Sequence, residues 1–217
     1  MMINAVAFDM DGLMFDTEDI YWQSADRLLG RRGFSYTAEL NAAIMGRPPK
    51  NCFELLKKTF SLPETWQELQ KESEDIFLEL LADGFSTMPG LYELLDFLEE
   101  RKIPKGICTS SAWRVASKVL RRDNLIDRFQ FVLTAEDIIH GKPNPEVYLK
   151  AVEKFDVEPA EMLVLEDSVA GCRAAADAGT FPVVVLARHN ADGDFSPARL
   201  VVTSLNSPEI LALFENP

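Results

Sequence analysis

The sequence predicts an α/β fold, a doubly wound parallel sheet that carries a small all-helical insertion. Three observations lead there. From Pro89-Gly90 onward, short runs rich in Val, Ile and Leu alternate with segments of helical period, the pattern of strands joined by crossover helices. Those runs are continuously apolar rather than alternating, which is how strands covered on both faces of a parallel sheet read. Before them, the stretch from about Thr17 to Phe85 keeps helical spacing with no strand in it.

The opening strand is Ile3-Asn4-Ala5-Val6-Ala7-Phe8, and it ends directly on Asp9-Met10-Asp11-Gly12. Asp16 to Gly33 reads as a helix with Trp22, Ala25, Leu28 and Leu29 on one stripe and Thr17 or Asp16 as its cap. Helical spacing continues through Leu40 to Met45, Cys52 to Phe60 and Trp66, Leu69, Ile76, Phe77 and Leu80, broken at Gly46-Arg47-Pro48-Pro49 and at Leu62-Pro63. Next come a helix from Leu91 to Glu100, a strand at Gly106-Ile107-Cys108 and a helix from Ala112 to Arg122. The period then gives a strand at Phe131 to Leu133, a helix near Glu146 to Phe155, a strand at Met162 to Leu165, a helix from Val169 to Ala178 closed by Gly179, and a last strand at Val183 to Leu186. The expected division is a sheet domain over residues 1–16 and 86–217, with a helical domain over residues 17–85.

Composition excludes several classes. A chain of 217 residues with 47% hydrophobic content can bury a core, and no window reaches the run of apolar residues that a membrane helix needs. No basic segment followed by an apolar signal core opens the chain, so a soluble, cytoplasmic protein that binds no membrane is expected. Cys52, Cys108 and Cys172 are scattered and odd in number, which reads as free thiols in core positions rather than a disulfide framework or zinc site. His140 and His189 stand far apart, so neither a histidine metal cluster nor a histidine-based triad is expected. A net charge of −13, spread along the chain, argues against a nucleic-acid partner. An anionic substrate would need local cations to overcome that field, and a bound metal would be the strongest of them.

Four motifs fall at or just after strand ends, where parallel sheets present ligands. The first is Asp9-Met10-Asp11-Gly12. It is not a calcium loop, because Gly12 comes fourth and Leu13 fifth where such a loop needs a ligand fifth and glycine sixth. A surface turn would account for Asp-Gly but not for the apolar strand feeding it. Thr109-Ser110-Ser111 comes next, and its hydroxyls and amides would face the same crevice, with Ser111 also able to cap the following helix. In Gly141-Lys142-Pro143-Asn144-Pro145, two prolines fix the path around Asn144 and hold Lys142, a surface lysine unless it pairs with the carboxylates. Last, Leu165-Glu166-Asp167-Ser168 again ends an apolar strand on two acids, of which an N-cap explains only one. Four carboxylates against one lysine would be relieved by a divalent cation, and oxygen ligands alone select magnesium.

Taken in this order, the four motifs resemble those of the haloacid dehalogenase superfamily, over essentially the whole chain. The helical insertion resembles the cap of the β-phosphoglucomutase and phosphoglycolate phosphatase branch, with its Rossmann-like core. The resemblance implies that Asp9 is the nucleophile and that Asp11 is general acid and then base. Thr109 and Lys142 would hold phosphoryl oxygens, with Ser110 and Ser111 lining the substrate site. Mg²⁺ would be the cofactor, held by Asp9, the Asp11 carbonyl and Asp167, with Glu166 behind them or bound through water. Asp11 also excludes the superfamily's dehalogenases, which attack carbon and need no acid there.

The expected activity is hydrolysis of a small phosphate monoester, a sugar or polyol phosphate, by a monomer. The runner-up is a sugar phosphate mutase. That branch carries an arginine three residues after the cap glycine and a histidine four residues after the threonine that follows the first motif. Here Gly46 matches the glycine, but Pro49 and Tyr21 stand at the other two places. Gly46, Arg47 and Lys50 remain candidates for gripping a second anionic group, while Trp22, Trp66, Phe77 and Tyr21 line either the substrate side or plain core. A relative that had kept the fold only to sense phosphate or to scaffold a partner should have lost the nucleophile, and Asp9 is present.

Overall fold

Strand β1 (Ala5–Phe8) is buried at every position and lies at the centre of a six-stranded parallel sheet. With β2 (Lys105–Cys108), β3 (Val132–Leu133), β4 (Met162–Glu166), β5 (Phe181–Val185) and β6 (Leu200–Val202), the order is β3-β2-β1-β4-β5-β6. The computed structural model describes residues 2–44, 48–122, 124–187 and 190–215. The chain winds outward from β1 to β3, then returns to place β4 on the other side of β1. That reversal opens a crevice above the carboxyl ends of β1 and β4, the topological switch point of an open α/β sheet.

Helices α5 (Leu91–Glu100), α6 (Trp113–Arg122), α7 (Glu146–Phe155) and α8 (Val169–Asp177) follow the sequence's expectation to within a residue at each end. One core cluster joins Ala5, Ala7, Cys108, Leu133 and Val164 of the sheet to Val147, Tyr148 and Ala151 of α7 and Ala174 and Ala175 of α8. The small residues of α8 let it sit close to the strands. After β5, sequence periodicity stops while the fold goes on. β6 has three residues with Val201 45% exposed, too short and too wet for an apolar run, and α9 (Pro208–Ala212) is a single turn and a half.

Two compact units are present, one of residues 1–16 and 86–217 and the other of residues 17–85. The chain leaves and re-enters the sheet unit along adjacent strands of backbone: Asp16 N donates to Ser86 O (2.9 Å) and Met88 N to Met14 O (2.9 Å). The helical unit contains α1 (Glu18–Gly30), α2 (Ala38–Ile44), α3 (Pro49–Phe60) and α4 (Trp66–Leu81). Its core gathers Leu29, Tyr36 and Leu56, flanked by Ala25, Leu40, Ile44, Phe53 and Phe60. Thr65 caps α4 in a reciprocal box with Glu68. Thr17 stands at the N-cap position of α1, but its side chain makes no capping bond to the helix. Trp22, expected on the buried stripe, is 38% exposed and packs edge-on against Tyr36, while Ile20 and Ser24 take the buried places beside Leu28 and Leu29. Among the described residues no helix is long and apolar enough to cross a membrane. All three cysteines are free thiols, Cys108 and Cys172 buried and Cys52 half-buried.

Candidate active site

Strand register assembles the site. Phe8 pairs with Ile107 of β2 on one side and Leu165 of β4 on the other, so the next residue along each strand is Asp9, Cys108 or Glu166. Asp9 N completes the ladder by donating to Leu165 O at 3.0 Å. The chain then turns sharply through Gly12, whose φ of 79° lies in the region that side chains disfavour, and Met14 N closes the turn on Met10 O (2.9 Å). Asp11 sits on this turn, half-buried, and accepts from Ser111 Oγ at 2.7 Å. Ser111 is therefore held to a carboxylate one hundred residues away in sequence.

The Thr109 loop starts where β2 stops. Thr109 N donates to Leu133 O (2.9 Å) and its buried hydroxyl accepts from Ser111 N (3.0 Å), which curls the loop toward α6. Ser110 points to solvent. At the start of α6, both carboxylate oxygens of Glu136 accept from Trp113 N at 2.9 and 3.1 Å.

Lys142 arrives from the loop before α7, across a cis Lys142-Pro143 peptide. It is buried, and its ammonium donates to Asp9 Oδ1 (2.5 Å), Glu166 Oε1 (2.6 Å) and the Cys108 carbonyl (2.9 Å), using all three protons on groups at the ends of β1, β4 and β2. Burial alone would lower its pKa, but the charges of Asp9 and Glu166 override that and raise it, so the lysine stays protonated. Asp9 shows the opposite balance. Burial raises its carboxyl well above the usual range, Lys142 pulls it back, and Glu166 and Asp167 push it up again. The Cys108 thiol is pushed up to about 12 by burial and is inert as a nucleophile.

Glu166 is completely buried and saturated. Oε1 accepts from Lys142 and from Tyr148 Oη (2.5 Å), and Oε2 accepts from Asp167 N (3.2 Å), Ser168 N (3.2 Å) and Ser168 Oγ (3.0 Å). Gly171 makes room for it, since a Cβ there would fall on the carboxylate. Asp167 follows at the tip of β4, and its carbonyl accepts from Asn190 Nδ2 (2.7 Å), which also donates to Val185 O (3.0 Å). Burial first, and then the Glu166 charge, hold the Tyr148 phenol well above its ordinary value, so it keeps its proton and donates.

The donor chemistry fits a hard divalent cation. Asp9, Glu166 and Asp167, all buried, each offer an oxygen within 4.8 Å of the others, against the single ammonium of Lys142. All donors are oxygen, the set that suits magnesium. Of the remaining sequence candidates, Lys50 is exposed on the first turn of α3, and Gly46 and Arg47 lie outside the described residues. His140 is exposed, and His189 also lies outside them. Tyr148 and Asn190 escaped the sequence reading. Tyr148 shares the buried stripe of Val147 and Ala151 and reads as core, while Asn190 sits in a loop with no periodic signal.

A family model described as haloacid dehalogenase-like hydrolase matches residues 6–185. Phosphorylated carbohydrates phosphatase from Thermotoga maritima is 34% identical over 82% of this chain and 82% of its own. Beta-phosphoglucomutase from Bacillus subtilis is 27% identical over 84% of this chain and 83% of its own. Among solved structures, beta-phosphoglucomutase from Clostridium difficile superposes with a TM-score of 0.83 at 26% identity, covering 99% of this chain and 98% of that one.

Proposed function

Since the chain belongs to the haloacid dehalogenase-like hydrolases, we propose that it is a phosphatase that hydrolyses a small phosphate monoester, a sugar or polyol phosphate, through an aspartyl-phosphate on Asp9. The observation that carries this reading is the buried pair of Asp9 and Lys142 at the joined ends of three strands, beside an acid, Asp11, held separately by Ser111. Lys142 pulls the Asp9 carboxyl back toward ionisation against the burial that raises it, and the ionised form attacks phosphorus in line with the ester oxygen. The leaving alkoxide takes a proton from Asp11. Asp11, now ionised, removes a proton from the water that attacks the aspartyl-phosphate, and phosphate and free Asp9 result. Ser111 fixes the Asp11 carboxyl for both transfers. Thr109, and the amides and hydroxyl of the loop it begins, orient the phosphoryl oxygens.

We assign Mg²⁺ to Asp9 and Asp167 of the buried carboxylate cluster, with the Asp11 carbonyl as a further ligand by the family resemblance, where it would neutralise charge on the phosphoryl group. Glu166 serves behind them, because its oxygens are already engaged by five donors. Substrate choice is assigned to the helical unit of residues 17–85 as a cap, with Arg47 and Lys50 as its cationic candidates. The name of the Thermotoga maritima relative supports a phosphorylated carbohydrate as the substrate class.

A second reading, a sugar phosphate mutase, is favoured by the two beta-phosphoglucomutase relatives. One assay separates the two. Purified protein and its Asp9→Asn variant are incubated with a panel of sugar and polyol phosphates in Mg²⁺ or EDTA, while free phosphate and sugar products are followed. Phosphate release that needs both Asp9 and Mg²⁺ is the expected result. Conversion of β-glucose 1-phosphate to glucose 6-phosphate with little release would replace it with the mutase, and inactivity of both proteins across the panel would overturn both readings.

A further inference from the structure

Lys142 is shared between two carboxylates, and something must decide how its charge is divided. Distances to Asp9 Oδ1 and Glu166 Oε1 are 2.5 and 2.6 Å, so neither partner has the lysine to itself. At a lone Glu166 the division would favour the glutamate, which is fully buried and can lower its charge only by drawing donors to itself. Its far oxygen, Oε2, is anchored by the start of the loop that leads to α8. Its near oxygen, the one facing Lys142, has one other partner, the Tyr148 hydroxyl at 2.5 Å.

We propose that Tyr148 is a positioning residue of the reaction: by donating to Glu166 Oε1 it offsets part of the glutamate's charge and leaves the Lys142 ammonium held against the nucleophile Asp9. The side chain is built for this task. Tyr148 is 0% exposed, Glu166 Oε1 is its one acceptor among the described residues, and the Lys142 ammonium lies 5.1 Å from the centre of its ring. Ring and hydroxyl therefore act on the same lysine in different ways. The ring face packs against the cation and survives in phenylalanine, whereas the hydroxyl reaches it only through Glu166. Tyr148→Phe consequently removes the relay alone, with the packing of α7 on the sheet retained.

The catalytic half of this inference rests on the phosphatase reading, and the structural half does not, so two readouts are taken on the intact protein. In ¹⁵N-lysine-labelled protein, the buried Lys142 ammonium is expected as a slowly exchanging signal, assigned by its loss in Lys142→Arg. Tyr148→Phe should shift that signal and speed its proton exchange. In steady-state kinetics the same variant should lose about tenfold in kcat, equivalent to about 1.4 kcal/mol, with KM changed by less than about twofold, because an interaction felt in the transition state and not in binding is what has been removed.

An unmoved Lys142 signal overturns the proposal whatever the substrate proves to be. So does a variant in which kcat falls only in step with the folded fraction. If the signal moves as expected while the wild-type protein hydrolyses no ester of the panel, the positioning of Lys142 stands and the phosphatase reading falls. Should Tyr148→Phe not fold, 3-fluorotyrosine placed at position 148 keeps ring and hydroxyl but makes the phenol a stronger donor. It must then move the Lys142 signal, and no movement would overturn the relay.

Discussion

The sheet unit and the helical unit treat charge in opposite ways. In the sheet unit Asp9, Lys142, Glu166 and Asp167 are all buried, three acids around one base, and Lys105 is buried as well. In the helical unit the buried polar residues among those described are Thr17 and Ser24, both neutral, and the ion pairs of Arg27 with Glu79, Arg31 with Glu72, Arg32 with Glu64 and Glu72, and Lys71 with Asp75 all stay in contact with water. Burying a charge costs several kcal/mol that a hydrophobic residue of the same volume would avoid. Stability therefore explains the helical unit and not the sheet unit. A cluster that a fold would be more stable without is the physical ground for placing the proposed chemistry there.

Lys142→Met tests the comparison most severely. It leaves Asp9 and Glu166 facing each other in a buried site with no cation, and a loss of about 3–5 kcal/mol in unfolding free energy is expected together with loss of hydrolysis. Urea unfolding with and without Mg²⁺ measures the first and phosphate release the second. The double variant Asp9→Asn with Lys142→Met sharpens the result. It removes a charge of each sign, so it should be more stable than Lys142→Met alone, although it is equally inactive. If Lys142→Met is as stable as wild type, the cluster is not the strained charge arrangement described here.

Ser111→Ala is expected to act next. The Ser111 hydroxyl donates to Asp11 Oδ2 at 2.7 Å, and Asp11 is only half-buried, so the cost in stability should be about 1 kcal/mol. The effect on rate should be larger, about tenfold or more in kcat, because under the proposed mechanism Asp11 is the general acid and misdirecting it forfeits part of a contribution worth about 10²–10⁴-fold. Esters with good leaving groups, such as p-nitrophenyl phosphate, should be spared, since they need little protonation. Equal losses on both ester types would remove Ser111 from a role in orienting Asp11.

The parts of the molecule that could be read from sequence are those with local signals. Apolar strands ending on Asp9 and Glu166 are local, and strand register then brings these two side by side, while Lys142 reaches them from a loop punctuated by Pro143 and Pro145. Tyr148 was hidden because its helical stripe marks it as core, which it is. What its hydroxyl meets depends on where β4 ends, a tertiary fact. Ser111 offered two local readings, cap or site, and its bond to Asp11 depends on a loop one hundred residues away, just as the Glu136 carboxylate on Trp113 N comes from a different segment. β6 failed for a different reason: an edge strand with Val201 exposed buries too little to leave an apolar run. Trp22 misled because an amphipathic stripe is broad, and a rotation of one position exchanges it for Ile20 and Ser24.

Arg32→Ala is expected to have the smallest effect, and it tests the other half of the comparison. Arg32 ties α1 to α4: Nε donates to Glu64 (2.9 Å), one terminal nitrogen to the Leu28 carbonyl (2.7 Å) and the other to Glu72 (2.5 Å). Its side chain is 16% exposed and its partners 30% and 28%, so water screens the pairs and their loss should cost about 1 kcal/mol. The Arg32 bond holds the Glu72 carboxyl below its ordinary 4.5. A carboxyl with a depressed folded-state pKa contributes stability that is fully present above its unfolded value and is lost as pH falls through the folded one. The stability gap between wild type and Arg32→Ala should therefore be constant from neutral pH down to about pH 5 and shrink as the pH drops below 4.5. High salt should shrink it too, with Lys142→Met far less sensitive because its partners are buried. An Arg32→Ala variant as damaged as Lys142→Met would mean that the helical unit also stakes its stability on charge, and the contrast between the two units would fail.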